Sequence, residues 1–138
     1  MTDTAAESQA RVHSLAPYLN VDDGRRALDW YARVFGARMR GEPVVMEDGR
    51  LGHAELAIGD SVLMLADEYP EMGLLGPKAR GGPSQSVYLT VSDVDDVAVR
   101  AVDAGAELER PVGEYPFGRM GVIVDPFGHR WMINTPAG

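Results

Sequence analysis

The chain has 138 residues, of which 45% are hydrophobic and 25% are charged, which is typical of one globular domain with its own core. Its formal net charge is −8 at pH 7, so a nucleic-acid partner is not expected, because phosphate binding requires clustered Lys and Arg. The absence of cysteine excludes disulfides and thiolate metal sites and favours a cytoplasmic location. No apolar run approaches the roughly 20 residues of a membrane helix, so no membrane partner is expected.

The N-terminal segment is polar and lacks the apolar stretch of a signal peptide, so residues 1–13 are expected to form a disordered tail. A first strand is predicted near residues 15–21. Asp22 and Asp23 are candidate N-caps of a helix that ends at Phe35, and Gly36 is its expected stop. Three further strands are predicted near residues 38–45, 52–58 and 61–66.

The same order of elements recurs in the second half of the chain. The segment PYLNVDD at residues 17–23 and the segment VYLTVSD at residues 87–93 share Tyr, Leu, Val and Asp at a constant offset. A helix is predicted from Val94 to a stop at Gly105. Strands are then predicted near residues 107–111, 121–124 and 130–134. The repeat predicts an α+β domain over residues 14–138 that consists of two tandem β-α-β-β-β modules.

Module 1 is assigned to residues 14–68 and module 2 to residues 85–135. The connection between them, residues 69–84, is rich in Gly and Pro and is predicted to be a long loop. Two interpretations stay open for this loop. It is either a plain linker or a lid over a cavity, with Met72, Leu74 and Leu75 as its apolar contacts.

The final predicted hairpin carries the motif DPFGHRW at residues 125–131. This motif and the tandem modules resemble the vicinal oxygen chelate superfamily, which includes glyoxalase I, bleomycin-resistance proteins and extradiol dioxygenases. The resemblance is closest to the PhnB-like branch and covers residues 14–135. It implies that the modules form a curved, half-open barrel around a cavity. It also implies a homodimer, since many members are homodimers.

Metal-dependent members of this superfamily carry His, Gln or Glu ligands at four strand positions. The resemblance aligns those positions with Ala16, Met64, Ser86 and Met132. None of these side chains is a usual ligand of a hard or borderline divalent cation. We therefore expect no cofactor, and a divalent metal is disfavoured.

Alternation along the strands assigns one set of side chains to the face opposite the helices, where a cavity would lie. Tyr18 and Tyr88 are equivalent under the repeat and either stack on a planar ligand or pack as core residues. Met64 and Met132 form either an apolar cavity floor or ordinary core. Arg119 is assigned to the cavity rim, with an exposed loop as the alternative. The predicted ligand-binding residues are Tyr18, Asn20, Met64, Ser86, Tyr88, Arg119 and Met132.

His53 and Glu55 are two residues apart on a predicted strand, so their side chains share one face. Three interpretations stay open: a structural hydrogen-bonded pair, a catalytic acid–base pair, or a displaced metal site. His129 is expected to brace the final turn beside Asp125. Trp30 and Trp131 are assigned to the core or to a subunit interface.

Three functions remain open from the sequence. The first is a metal-independent protein of the bleomycin-resistance type that sequesters a small organic ligand, cationic or aromatic and antibiotic-like. The second is a glyoxalase-like lyase, isomerase or dioxygenase that acts on a small metabolite through His53, Glu55 and Arg119 or an unconventional metal site. The third is a protein-interaction domain whose cavity is vestigial.

Overall fold

A computed structural model describes residues 11–137 of the chain. The predicted disordered tail falls mainly on residues 1–10, which lie outside the described residues. Within the described part of the chain, no helix has the length and apolar character needed to cross a membrane.

Module 1 contains one helix and five strands. The strands form a sheet in the order β1-β5-β4-β2, in which β1 is parallel to β5 and the short strand β3 also pairs with β4. The elements are β1 (Tyr18–Val21), α1 (Gly24–Phe35), β2 (Arg38–Met39), β3 (Val44–Val45), β4 (Leu51–Ile58) and β5 (Ser61–Asp67).

Module 2 repeats this arrangement with one helix and four strands. Its sheet has the order β6-β9-β8-β7, and β6 is parallel to β9. In three dimensions the repeat holds residue by residue, since Tyr18 is opposite Met64 in module 1 and Tyr88 is opposite Met132 in module 2. The elements are β6 (Ser86–Thr90), α2 (Val94–Asp103), β7 (Glu107–Tyr115), β8 (Gly118–Val124) and β9 (Arg130–Pro136).

The structure confirms the predicted α+β architecture of tandem modules. The two sheets are separate and curved and do not close into a barrel. The strand predicted near residues 38–45 is interrupted, because Gly41 has a φ of 73° and Pro43 lacks an N–H for a sheet hydrogen bond. The strands of module 2 are longer than predicted, mainly because β7 and β8 form one extended hairpin.

The caps of both helices follow the local sequence. The side chain of Asp23 accepts a hydrogen bond from the N–H of Arg26, so Asp23 rather than Asp22 is the N-cap of α1. Gly36 ends α1 with a φ of 71°, a conformation in which glycine carries no steric penalty. Asp93 caps α2 in the same way by accepting from the N–H of Asp96.

The two modules pack against each other through their helices. The indole N–H of Trp30 in α1 donates to the carbonyl of Ala104 at the end of α2, at 2.8 Å. In return, the guanidinium of Arg100 in α2 donates to the carbonyl of Val34 near the end of α1, also at 2.8 Å. Each helix therefore satisfies a carbonyl that the other helix leaves unpaired at its C-terminus.

A buried carboxylate lies at the centre of the contact between the modules. Asp125 is only 3% exposed, and its Oδ2 accepts from the hydroxyl of Tyr31 at 2.5 Å and from the indole of Trp131 at 2.8 Å. Its Oδ1 accepts from the backbone N–H groups of Phe127 and His129, at 2.9 and 3.0 Å. Four neutral donors thus form hydrogen bonds with the buried carboxylate. A charged group can be buried at low cost only when it is hydrogen-bonded in this way.

The environment of His129 differs in part from the prediction. Its backbone N–H braces the turn through Asp125, but its imidazole reaches across to module 1, where Nε2 lies 2.9 Å from the carbonyl oxygen of Asn20. Trp30 and Trp131 lie in the core that the modules share, at 3% and 1% exposure.

We predict that Tyr31→Phe lowers the free energy of unfolding by about 1.5–3 kcal/mol, the range for a hydrogen bond to a charged group. Burial and the nearby charge of Asp125 raise the pKa of Tyr31 well above its ordinary value, so the phenol donates at neutral pH. Urea denaturation of the variant measures the loss. The control is Tyr88→Phe, since Tyr88 is 55% exposed and its substitution should change stability by less than about 0.5 kcal/mol. Equal stability of the two variants would contradict the assigned role of Asp125.

Candidate functional site

The sheet of module 1 presents a polar face on the side away from α1. Tyr18 in β1 is 47% exposed, whereas its neighbour Leu19 is 2% exposed and belongs to the core. On β4, a register shift against β3 leaves one extra residue at Gly52. This bulge lets Leu51 enter the core while His53 lies on the open face beside Tyr18.

Four side chains on this face form a continuous chain of hydrogen bonds. The hydroxyl of Tyr18 lies 2.8 Å from Nδ1 of His53, and Nε2 of His53 lies 2.9 Å from the carboxylate of Glu55. Arg40 donates to the other oxygen of Glu55 at 3.2 Å. Since a carboxylate only accepts, Nε2 of a neutral His53 carries the proton and Nδ1 accepts from Tyr18.

The pKa of Tyr18 is raised above its ordinary value by partial burial first, and then by the nearby Tyr69 and Glu55. Its phenol is therefore protonated at neutral pH and acts as a hydrogen-bond donor. The predicted pair His53 and Glu55 is in direct contact and is extended at both ends by residues that share its face. This geometry fits both the structural and the acid–base interpretations.

A cavity of about 360 Å³ adjoins Tyr18. Its walls come from the open face of module 1 and from the start of the long connection, whose Met72 and Leu74 contribute as the lid interpretation requires. Leu75 lines a different cleft, between the connection and His129. The cavity is lined by Tyr18, Asn20, Met46, Gly52, Ala66, Tyr69, Met72 and Leu74.

The predicted residues of module 2 lie on the other sheet. Tyr88 lines a separate cleft of about 400 Å³ at the boundary of the modules, together with Leu15 and Pro17. Ser86 lies opposite Arg130, and Met132 lies beside Tyr88. One chain therefore places its two predicted site tyrosines in different clefts.

Arg119 lies away from the predicted cavity rim. It belongs to β8 and donates to Asp95, in the first turn of α2, at 2.6 and 2.9 Å. It also donates to Glu114 on the neighbouring strand at 2.7 Å. Arg119 lies within β8, where strand alternation directs its side chain to the helical side of the sheet. The sequence-based prediction differs because it begins this strand at residue 121, after Arg119.

Several residues of the site are absent from the sequence-based candidates. Arg40 and Glu55 are cross-strand neighbours. The sequence does not indicate this pairing, because Gly41 and Pro43 interrupt the predicted strand. Tyr69 was treated only as the first residue of the connection. Met46 and Gly52 carry no sequence signal, since the bulge that exposes them depends on pairing with β3.

The four positions that the resemblance aligns with metal ligands do not fit a divalent cation. They offer a methyl group, two thioethers and one hydroxyl, from Ala16, Met64, Met132 and Ser86. Among residues 11–137, no group of three His, Asp or Glu side chains is arranged to hold a metal. The metal-free site remains a prediction.

In each module a strand is followed by a helix and then by further strands, the last of which is parallel to the first. This arrangement defines the class of protein. The family model of the glyoxalase/bleomycin resistance protein/dioxygenase superfamily matches residues 11–133. The chain therefore belongs to this superfamily, as the resemblance of its hairpin motif and repeat predicted.

Known proteins of several bacteria are similar to this chain. An uncharacterized protein of Mycobacterium bovis is 39% identical over 127 residues, covering 89% of this chain and 83% of the relative. The structure of TioX from Micromonospora sp. ML1 is 29% identical, with a TM-score of 0.69 and coverage of 91% of this chain and 100% of TioX. TnmS3, an antibiotic binding protein from Streptomyces sp. CB03234, is 21% identical, with a TM-score of 0.66 and coverage of 93% and 98%.

Proposed function

We propose that this protein binds a small organic molecule without a metal ion, in the cavity on the open face of module 1. The cavity itself carries the proposal. Its volume of about 360 Å³ lies in the usual range of ligand pockets, and its walls are largely aromatic and methionine side chains with few polar groups. TnmS3, which shares the fold, is an antibiotic binding protein, and this supports a binding role.

The chemistry of the walls favours a flat, apolar ligand. Tyr18 and Tyr69 offer aromatic surfaces, and Met46 and Met72 adapt their shape to what they contact. The net charge of −8 attracts cationic ligands over anionic ones at long range. The proposed function is thus sequestration of an aromatic, neutral or cationic, antibiotic-like compound in the cytoplasm.

We further propose that two copies of the chain form a homodimer. The short strand β3 and its neighbour leave a row of apolar side chains exposed on module 1: Val44 is 50%, Val45 48% and Met46 46% exposed. Met46 also lines the cavity, so a partner seated on this row would close the site. On module 2, Tyr88 is 55% exposed and offers an aromatic surface to such a partner.

Gly52→Val is expected to reduce ligand affinity at least tenfold, or about 1.4 kcal/mol, because the added side chain enters the cavity. A Cβ at this position lies 2.7 Å from the sulfur of the flexible Met46 side chain and 3.5 Å, an ordinary contact distance, from the carbonyl of Val44, so the fold should survive once Met46 moves. Chemical-shift titration with a panel of neutral and cationic aromatic compounds, in the presence of EDTA, measures the effect.

The matched control is Gly113→Val in module 2, where a Cβ has open space around it. It should leave the affinity unchanged. Equal affinity of the wild type and the Gly52→Val variant would place the ligand elsewhere. A requirement for added metal would overturn the metal-free mechanism.

Val44→Lys is expected to weaken dimerisation at least tenfold, because Val44 pairs with His53 on the open face and the interface would bury an unpaired ammonium group. Sedimentation velocity over a concentration series measures the dimer dissociation constant. Val99→Lys is the control, since Val99 is 60% exposed on the outer side of α2. A monomeric wild type, or equal dissociation constants for both variants, would contradict the homodimer.

The hydrogen-bonded chain from Tyr18 to Arg40 favours a second candidate function, an acid–base lyase or isomerase. In this case Nδ1 of His53, oriented by Glu55, takes the proton of Tyr18, and the phenolate removes a proton from a bound metabolite and returns it at another atom, after which His53 gives its proton back to the phenolate. The experiment follows each bound compound by NMR for chemical conversion. If the protein only binds the compound, the NMR spectrum of the compound stays constant over time. Conversion that His53→Ala abolishes, with binding retained, would replace binding with catalysis.

A further inference from the structure

One buried polar group beside the cavity has no hydrogen-bond partner among the described residues 11–137. Tyr69 is 9% exposed, and its hydroxyl is shielded from solvent without a hydrogen-bonding atom within reach among residues 11–137. A buried donor left unpaired typically costs about 1–3 kcal/mol, so proteins rarely retain one without a reason. Tyr69 lines the cavity next to Tyr18, so a bound molecule would lie against this residue and would reach its hydroxyl once a side chain of the cavity wall moves aside.

The neighbours of Tyr69 hold its ring firmly in this position. The guanidinium of Arg50 lies over the ring, 4.0 Å from its centroid. Arg50 is itself held by two hydrogen bonds to Glu71, at 3.1 and 2.7 Å, and by Asp48. The backbone of Tyr69 exchanges two hydrogen bonds with Leu74, at 2.7 and 3.0 Å. The hydroxyl is therefore preorganised, and a ligand would not have to order it.

The hydroxyl of Tyr69 is a donor at neutral pH, because burial is the main cause that raises its pKa above the ordinary value. The other phenol of the cavity is already engaged, since Tyr18 donates to His53. One of the two N–H donors of the Asn20 amide is engaged as well, with the carbonyl of Asp67 at 3.1 Å. Tyr69 thus offers the cavity a donor that is free for a ligand, among walls that are otherwise mainly apolar.

We infer that Tyr69 is the residue that selects the ligand, by donating a hydrogen bond to a neutral acceptor on an otherwise apolar, planar molecule. The acceptor class is a carbonyl oxygen or an equivalent lone pair, such as that of an aryl ketone. This inference rests on the proposed binding function and adds to it the chemical feature that is recognised.

The test compares two probes of similar shape, 1-indanone, which carries a carbonyl acceptor, and indane, which lacks one. Chemical-shift titrations of the wild type and of Tyr69→Phe give four affinities. The wild type should bind 1-indanone about five- to tenfold more tightly than indane, which is the affinity ratio expected from one hydrogen bond. Tyr69→Phe should bind both probes equally, with its indane affinity at least as high as that of the wild type. Tyr115→Phe, the control, should keep the preference, since Tyr115 lies at the end of β7 and does not line the cavity.

Thermal melts provide a second measurement. Tyr69→Phe should melt no lower than the wild type, because it removes an unpaired hydroxyl rather than a hydrogen bond, whereas Tyr31→Phe should melt several degrees lower. A similar loss in Tyr69→Phe would reveal an internal partner and overturn the inference. Weaker dimerisation of Tyr69→Phe would assign the hydroxyl to the subunit interface, with the same consequence.

The titrations also separate this inference from the function on which it rests. If both probes shift residues of the cavity and Tyr69→Phe keeps the preference for 1-indanone, binding stands and the assignment to Tyr69 falls. If neither probe shifts residues of the cavity, both proposals fall.

Discussion

The carboxylate of Asp125 is the interaction on which the arrangement of the two modules depends. It takes a hydrogen bond from Tyr31 in module 1 and three from module 2, so it joins the halves of the chain and fixes the turn between β8 and β9. That turn places His129 against β1, and it places Gly128 against Pro77 in the connection, where an added Cβ would lie 3.2 Å away. Because each donor lost from a buried charge lowers stability, these contacts support one another.

The packing of α1 against α2 has a consequence for the site. The two helices pack between the two sheets, so the polar face of each sheet lies on the side away from the helices. The polar faces of the two sheets are therefore separate within one chain. Tyr18 and Tyr88, equivalent under the repeat, therefore line different clefts. The proposed homodimer would bring the surface of a second chain to the cavity of module 1, next to Met46.

The open face of module 1 combines fixed polar groups with adaptable apolar walls. Tyr18, His53, Glu55 and Arg40 form a chain in which each hydrogen bond orients the next, while Met46 and Met72 supply surface without a fixed shape. Under the proposed metal-free function, with Met64 and Met132 at the positions aligned with metal ligands, recognition would depend on hydrogen bonding and packing. The proposed function therefore depends chiefly on the phenol groups of Tyr18 and Tyr69. The hydroxyl of Tyr69 lacks a hydrogen-bond partner in the described part of the chain.

The sequence by itself determined what depends on local pattern. The repeat around Tyr18 and Tyr88 predicted the tandem modules, Asp23 and Gly36 predicted the ends of α1, and strand alternation placed His53 and Glu55 on one face, because caps and periodicity act over a few residues. Tertiary structure alone decided the rest. The ion pairs of Arg119 with α2, the contact of Arg40 with Glu55, the bulge at Gly52 and the unpaired hydroxyl of Tyr69 all depend on segments distant in sequence. Which partner a side chain meets is set by the packing of the whole chain, and no local pattern encodes it.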